Sequence, residues 1–122
     1  MPDRFKKLVK LAEYLRGANG CPWDKKQTIE SMLEHVKEEA EEVYEAIEKG
    51  HAESLKEELG DLLFNVIMIA QITKEKGKFD IGDVLRDIEK KIIDRHTWVF
   101  GGDKAKTPEE ALAKWKENKK KK

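Results

Sequence analysis

Residues 28–76 read TIESMLEHVKEEAEEVYEAIEKGHAESLKEELGDLLFNVIMIAQITKEK, and this stretch decides the fold. It holds no proline and no alternating, β-branched run of the kind a strand needs. Thr28 is placed to cap a helix over about 28–49, and Gly50 to end it. Ile29, Met32/Leu33, Val36, Ala40, Val43 and Ile47 recur at three- and four-residue spacing, the stripe of an amphipathic helix. A second helix is predicted over about 52–76, stopped by Gly77. From Leu62 to Ile72 it is apolar nearly all round, so it is expected to be the most buried helix.

Outward from this pair the same period continues. Phe5, Leu8, Leu11, Ala12 and Leu15 predict a helix over about 3–16. A loop follows it, from Gly17 to Gln27. Ile81, Val84, Leu85, Ile88 and Ile92 predict another helix, begun by Asp80 and reaching about Arg95. Thr107-Pro108-Glu109-Glu110 is a strong start signal for a last helix, which carries Trp115 and frays into Lys119–Lys122. The expectation is all-α: a four-helix-type bundle with an extra C-terminal helix, one domain over residues 1–122. Its nearly all-apolar central helix exceeds what a single-layer bundle covers. A homodimer through the central helices is the simplest solution, and a tetramer is also compatible.

Composition narrows the function classes. With 25 Lys+Arg against 25 Asp+Glu the net charge is zero, which argues against a basic nucleic-acid module and predicts no stable nucleic-acid complex. The lone cysteine, Cys21, allows no internal disulfide. The apolar run Leu62–Ile72 is about half the ~20 residues of a membrane span, and the N-terminus lacks the apolar core of a signal peptide. A cytoplasmic location is expected. The zero is nonetheless a sum of opposites: residues 30–61 hold 12 acids and 3 bases, a net of −9, and the remainder is +9.

Two patterns stand out in the acidic block, Glu38-Glu39-x-x-Glu42 and Glu58-x-x-Asp61. On a helical projection Glu39 lies about 75° from the centre of its apolar stripe and Glu42 about 135°. Glu58 sits between Leu55 and Leu62, inside the apolar face, and Asp61 is one turn on. Carboxylates at a core edge need partners, and Lys37, Lys49 and Lys56 fall elsewhere on the helices. A hard divalent cation, Mg²⁺ or Mn²⁺, would satisfy Glu39, Glu42, Glu58 and Asp61, and several acids together suit a polyphosphate ligand shared through metal ions. Glu34, Glu41, Glu45 and Glu48 read as an ordinary solvated face.

Glu-Glu-x-x-Glu, 15 residues, then Glu-x-x-Asp resembles the signature of MazG-type nucleoside triphosphate pyrophosphohydrolases, of the all-α NTP pyrophosphatase superfamily. Leu15-Arg-Gly-Ala-Asn-Gly-Cys-Pro-Trp-Asp24 with Gln27-Thr28, Glu57-Glu-Leu-Gly-Asp-Leu-Leu-Phe64, Gly77-Lys-Phe-Asp80 and Arg95-His96 through Val99-Phe100-Gly101 extend the likeness over roughly residues 5–119. The resemblance implies a dimerising four-helix core and hydrolysis of an NTP or dNTP to the monophosphate and pyrophosphate, clearing nucleotides from the pool. It implies metal ligation by Glu39, Glu42, Glu58 and Asp61, and substrate contacts by Lys91, Arg95, Trp115 and Lys119. Glu38 is the candidate to orient or deprotonate the attacking water, and Trp23 or Trp115 to pack on the base. Thr97-Trp98 stands where many members have Pro-His.

Taken without the resemblance, Lys91 and Arg95 read as solvated, Trp115 as core, and His51 and His96 as surface or helix-end residues. A ferritin-like di-iron bundle needs two Glu-x-x-His motifs on helices. Here only Glu48-Lys-Gly-His51 has the spacing, and Gly50 interrupts it. The remaining alternative is a non-catalytic acidic helical interaction module.

Overall fold

Thr28 begins its helix as the sequence predicts. Its hydroxyl accepts from the Ser31 amide at 3.0 Å and its own amide donates to Ser31 Oγ at 2.9 Å, a reciprocal cap that satisfies two otherwise orphaned donors. Gly50 ends the helix at φ 70°, in the left-handed region that a side chain disfavours. The computed structural model describes residues 2–120. Among them are helices α1 (Pro2–Leu15), α2 (Pro22–Lys25), α3 (Ile29–Lys49), α4 (Ala52–Glu75), α5 (Ile81–Arg95), α6 (Thr97–Phe100) and α7 (Pro108–Lys120), and no strand. The all-α class is as expected. Two single-turn helices, α2 and α6, lie in stretches read as loop or left unassigned. α7 stays helical through Lys120; the last two lysines of the expected tail, 121 and 122, lie outside the described residues.

The chain forms two compact units, one reaching Ile81 and one starting at Gly82. In the first, α4 packs against α1 and α3. Ala12, Met32, Ile67, Met68 and Ile72 make its core, with Phe5, Leu8, Val9, Ile29 and Phe64 packed around them. Ile67 and Ile72 are 1% and 2% exposed, each the kind of burial that contributes roughly 1.5–3 kcal/mol. In the second unit α6 packs on α7. Asn118 of α7 donates to the Arg95 carbonyl at 3.1 Å and to Thr97 Oγ1 at 3.0 Å, tying α7 to the junction of α5 and α6.

Burial corrects two readings of the central pair. The buried face of α3 carries Met32 and Ala46 with Val36, Glu39 and Val43 half-buried, while Leu33 and Ile47 are 70% and 61% exposed. Its core face is therefore turned toward Glu39 from the stripe that apolar spacing suggests. In α4 the C-terminal half is buried as expected, but Leu59, Leu63 and Val66 are exposed. Both departures have one cause: these helices are apolar over a wider arc than one neighbour can cover.

Candidate metal centre

The turn of α3 toward Glu39 creates the site. Glu39 is half-buried at the α3–α4 contact and meets Glu58, also half-buried, and the exposed Asp61. One carboxylate oxygen from each of the three lies within 4.8 Å of the others. Glu42, exposed and one turn beyond Glu39, is within hydrogen-bonding reach of Glu58. Asn65, one turn past Asp61, donates from Nδ2 to the His35 carbonyl at 3.1 Å, which fixes the register of α4 against α3.

Electrostatics shows what the cluster lacks. Burial, then the charges of Asp61, Glu42 and Glu38, holds the Glu39 carboxyl above the usual range, against a contact with Glu58 that lowers it. Glu42 is raised first by its contact with Glu58 and by that residue's charge. For Glu58 the contact with Glu42 pulls downward, but burial, Glu39 and Asp61 together push its carboxyl up. Among the described residues none of the four acids joins an ion pair. Glu39 Oε2 and Glu58 Oε1 are buried with no hydrogen-bond partner. A buried, unpartnered carboxylate oxygen is costly. A hard cation with oxygen ligands removes the cost and the mutual repulsion together, so the donor set fits a divalent ion.

Beside the cluster is a cavity of about 200 Å³. Met32, Phe64 and Met68 line it with apolar surface, and Trp23, Asp24 and His35 add polar and aromatic walls. The Trp23 ring lies 5.1 Å from that of His35, tilted by 59°. Glu38, Glu39 and Asn65 complete the lining, so Glu38 reaches the cavity. Asp24, His35 and Asn65 were not singled out by the sequence. The Trp23-Asp24 pair inside the quoted family segment was the signal for one of them.

The second unit holds the remaining candidates. Lys91 and Arg95 line an open depression of about 600 Å³ with Thr97 and Asn118. Arg95 is not solvated, contrary to the reading of it in isolation. It is 8% exposed, its guanidinium lies 5.8 Å from the Trp115 ring centroid, and Nη1 is buried without a partner. His96 sits between Trp98 and Trp115, at centroid distances of 4.9 and 5.1 Å, so it belongs to an aromatic cluster as well as to a helix end. Lys119 is exposed on α7, one turn past Trp115.

Fold and cluster define a class: an all-helical protein whose paired helices present carboxylates that can hold a divalent cation. Residues 27–100 match the family model described as the MazG nucleotide pyrophosphohydrolase domain, and the chain belongs to that family. It is 47% identical over 97 residues to the nucleoside triphosphate pyrophosphohydrolase/pyrophosphatase MazG of Thermotoga maritima, covering 80% of this chain and 38% of that one. It is 39% identical over 116 residues to the nucleoside triphosphate pyrophosphohydrolase of Escherichia coli K12, covering 94% of this chain and 44% of the relative. The chain thus spans less than half the length of these curated relatives. The crystal structure of a MazG-related protein from Thermotoga maritima superposes with a TM-score of 0.76 at 34% identity, covering 94% of this chain and 98% of that one.

Proposed function

We propose that the protein hydrolyses nucleoside triphosphates, ribo- or deoxyribo-, to the monophosphate and pyrophosphate. Mg²⁺ is the proposed cation and Mn²⁺ its substitute. One observation carries this reading: the buried, partnerless oxygens of Glu39 and Glu58 in a carboxylate cluster beside a base-sized cavity. The family membership and the names of the relatives support it.

Glu39, Glu42, Glu58 and Asp61 would hold the cation. When bound, it supplies charge neutralisation for the triphosphate. Glu38, at the cavity edge, accepts the proton of the water that attacks the α-phosphorus, and pyrophosphate leaves. Lys91, Arg95 and Lys119 are the cations proposed to meet phosphate oxygens. Of the two tryptophans considered for the base, Trp23 is favoured because its ring borders the cavity. Trp115 carries the Arg95 guanidinium on its face.

Two further expectations join this proposal. No helix among the described residues is long and apolar enough to cross a membrane, and we place the protein in the cytoplasm, clearing unwanted nucleotides. Leu59, Leu63 and Val66 on α4, with Leu33, Tyr44 and Ile47 on α3, form exposed strips at helical spacing and support a homodimer through these helices. The test of the activity is a panel of canonical and modified NTPs and dNTPs with pyrophosphate detection and Mg²⁺ present. Pyrophosphate release that disappears on Glu39→Gln or Asp61→Asn is expected. Orthophosphate with a nucleoside diphosphate as products, or full activity in either variant, overturns the reading.

A further inference from the structure

The cavity wall made by Trp23 and Asp24 stands on α2, a single turn of four residues. Such a turn is not stable by itself. It has no buried residue and no side-chain cap at Cys21. Something outside it must fix where it sits.

Arg16, just past the end of α1, is that anchor. Its Nε and Nη2 donate to the two carboxylate oxygens of Glu75, near the end of α4, at 2.9 and 2.8 Å. Its Nη1 donates to the carbonyls of Asp24 at 2.6 Å and Gln27 at 3.1 Å. The Arg16 side chain is only 10% exposed. Glu75 is held in turn by Gln71 Nε2 at 3.1 Å, and the Arg16 guanidinium keeps the Glu75 carboxyl below the usual range. Gln27 completes the tether: it donates to the Trp23 carbonyl at 3.0 Å and accepts from Ser31 Oγ at 2.6 Å. The carbonyls of residues 23, 24 and 27 are thus all held from outside α2. Arg16 is the piece that reaches across to α4. Gly20 lets the loop before α2 fold back onto the end of α1, because a Cβ there would collide with the Leu15 carbonyl.

We propose that Arg16, braced by Glu75, is a positioning residue for the nucleotide site: it holds α2 so that Trp23 and Asp24 wall the cavity beside Glu38 and Glu39, and so sets how tightly the base is held. The inference rests on reading that cavity as the base site. Arg16 belongs neither to the acid cluster nor to the cavity lining and touches that lining only at the Asp24 backbone carbonyl, so its effect is predicted on substrate affinity and not on cation affinity or turnover.

The test compares kcat and KM for one NTP in wild type, Arg16→Ala, Arg16→Lys, Glu75→Gln, Trp23→Ala and the Arg16→Ala/Trp23→Ala double variant. The affinity for Mn²⁺ alone is measured alongside. Arg16→Ala is expected to raise KM about tenfold, roughly what one of the two charge-assisted hydrogen bonds to the Asp24 and Gln27 carbonyls supplies. Its kcat and Mn²⁺ affinity stay within about threefold of wild type, under the discrimination one such bond supplies. Arg16→Lys does not restore KM, because an ammonium cannot make the two-pronged contact while also holding both carbonyls. The double variant is no worse than Trp23→Ala, since both act through one wall. A purely structural role would lower kcat and melting temperature with KM unchanged, and would add to Trp23→Ala. Either result overturns the proposal. If Arg16→Ala does not fold, Arg16→Lys and Glu75→Gln decide it: unchanged KM in both refutes it. If Trp23→Ala leaves KM unchanged, the base-site reading itself fails. If Trp23→Ala raises KM and the Arg16 variants do not, only the positioning role fails.

Discussion

The partnerless oxygens at the acid cluster make a prediction about stability as well as catalysis. Protein stripped of metal at pH 8 carries Glu39, Glu58 and Asp61 with oxygens within 4.8 Å and no counter-charge among the described residues. A cation that binds the folded cluster and not the unfolded chain stabilises the fold by about 2.7 kcal/mol when present at a hundred times its Kd. A chain of 122 residues unfolds with an entropy of roughly 0.26 kcal/mol per kelvin. Saturating Mg²⁺ should therefore raise the melting temperature by about 10 °C in calorimetry. Asp61→Asn should lose most of that rise. Metal-free Glu39→Gln should melt above metal-free wild type, because the substitution removes a charge that burial and Asp61 disfavour. Were Mg²⁺ to leave the wild-type melt unchanged, or to shift Asp61→Asn equally, the cluster would not be a cation site.

Four further outcomes are expected. Metal-free protein should be more stable at pH 5 than at pH 8. Glu39, Glu42 and Glu58 have raised carboxyls, so their contribution is present below the unfolded pKa and lost as pH rises through the folded values. Melts across pH in a chelator check this, and Mg²⁺ should flatten the alkaline side. Arg95→Met should raise KM about tenfold or more, with a modest loss of melting temperature from the lost contact with the Trp115 ring; kinetics and calorimetry on one sample separate the two. Ile67→Ala should cost about 2–5 kcal/mol in chemical denaturation, because the side chain is 1% exposed at the core centre. If the proposed homodimer forms through α3 and α4, Leu63→Lys, on the exposed strip of α4, should shift sedimentation from dimer toward monomer.

Much of this molecule was legible in its residues. The long helices end within a residue or two of their punctuation, since Thr28, Gly50, Gly77 and Pro108 act locally through caps and backbone preference. The gathering of Glu39, Glu58 and Asp61 was also legible, because three-residue spacing on two consecutive antiparallel helices puts one-turn neighbours on one edge. What was not legible depends on distant partners. The outward exposure of Leu33, Ile47 and Leu63 follows from which arc of an over-wide apolar helix finds a neighbour, and spacing does not say which. Arg95 looks solvated until Trp115 is brought over it by the fold. Arg16 carries no sequence signal of its anchoring role, since its partner Glu75 lies 59 residues away.

The site built on Glu39, Glu58 and Asp61 is proposed to direct water to the α-phosphorus. Hydrolysis of an NTP in ¹⁸O-labelled water with Mg²⁺, read by mass spectrometry, tests it most directly. Label is expected in the nucleoside monophosphate and none in pyrophosphate. Label in pyrophosphate, or in orthophosphate released beside a nucleoside diphosphate, would contradict it.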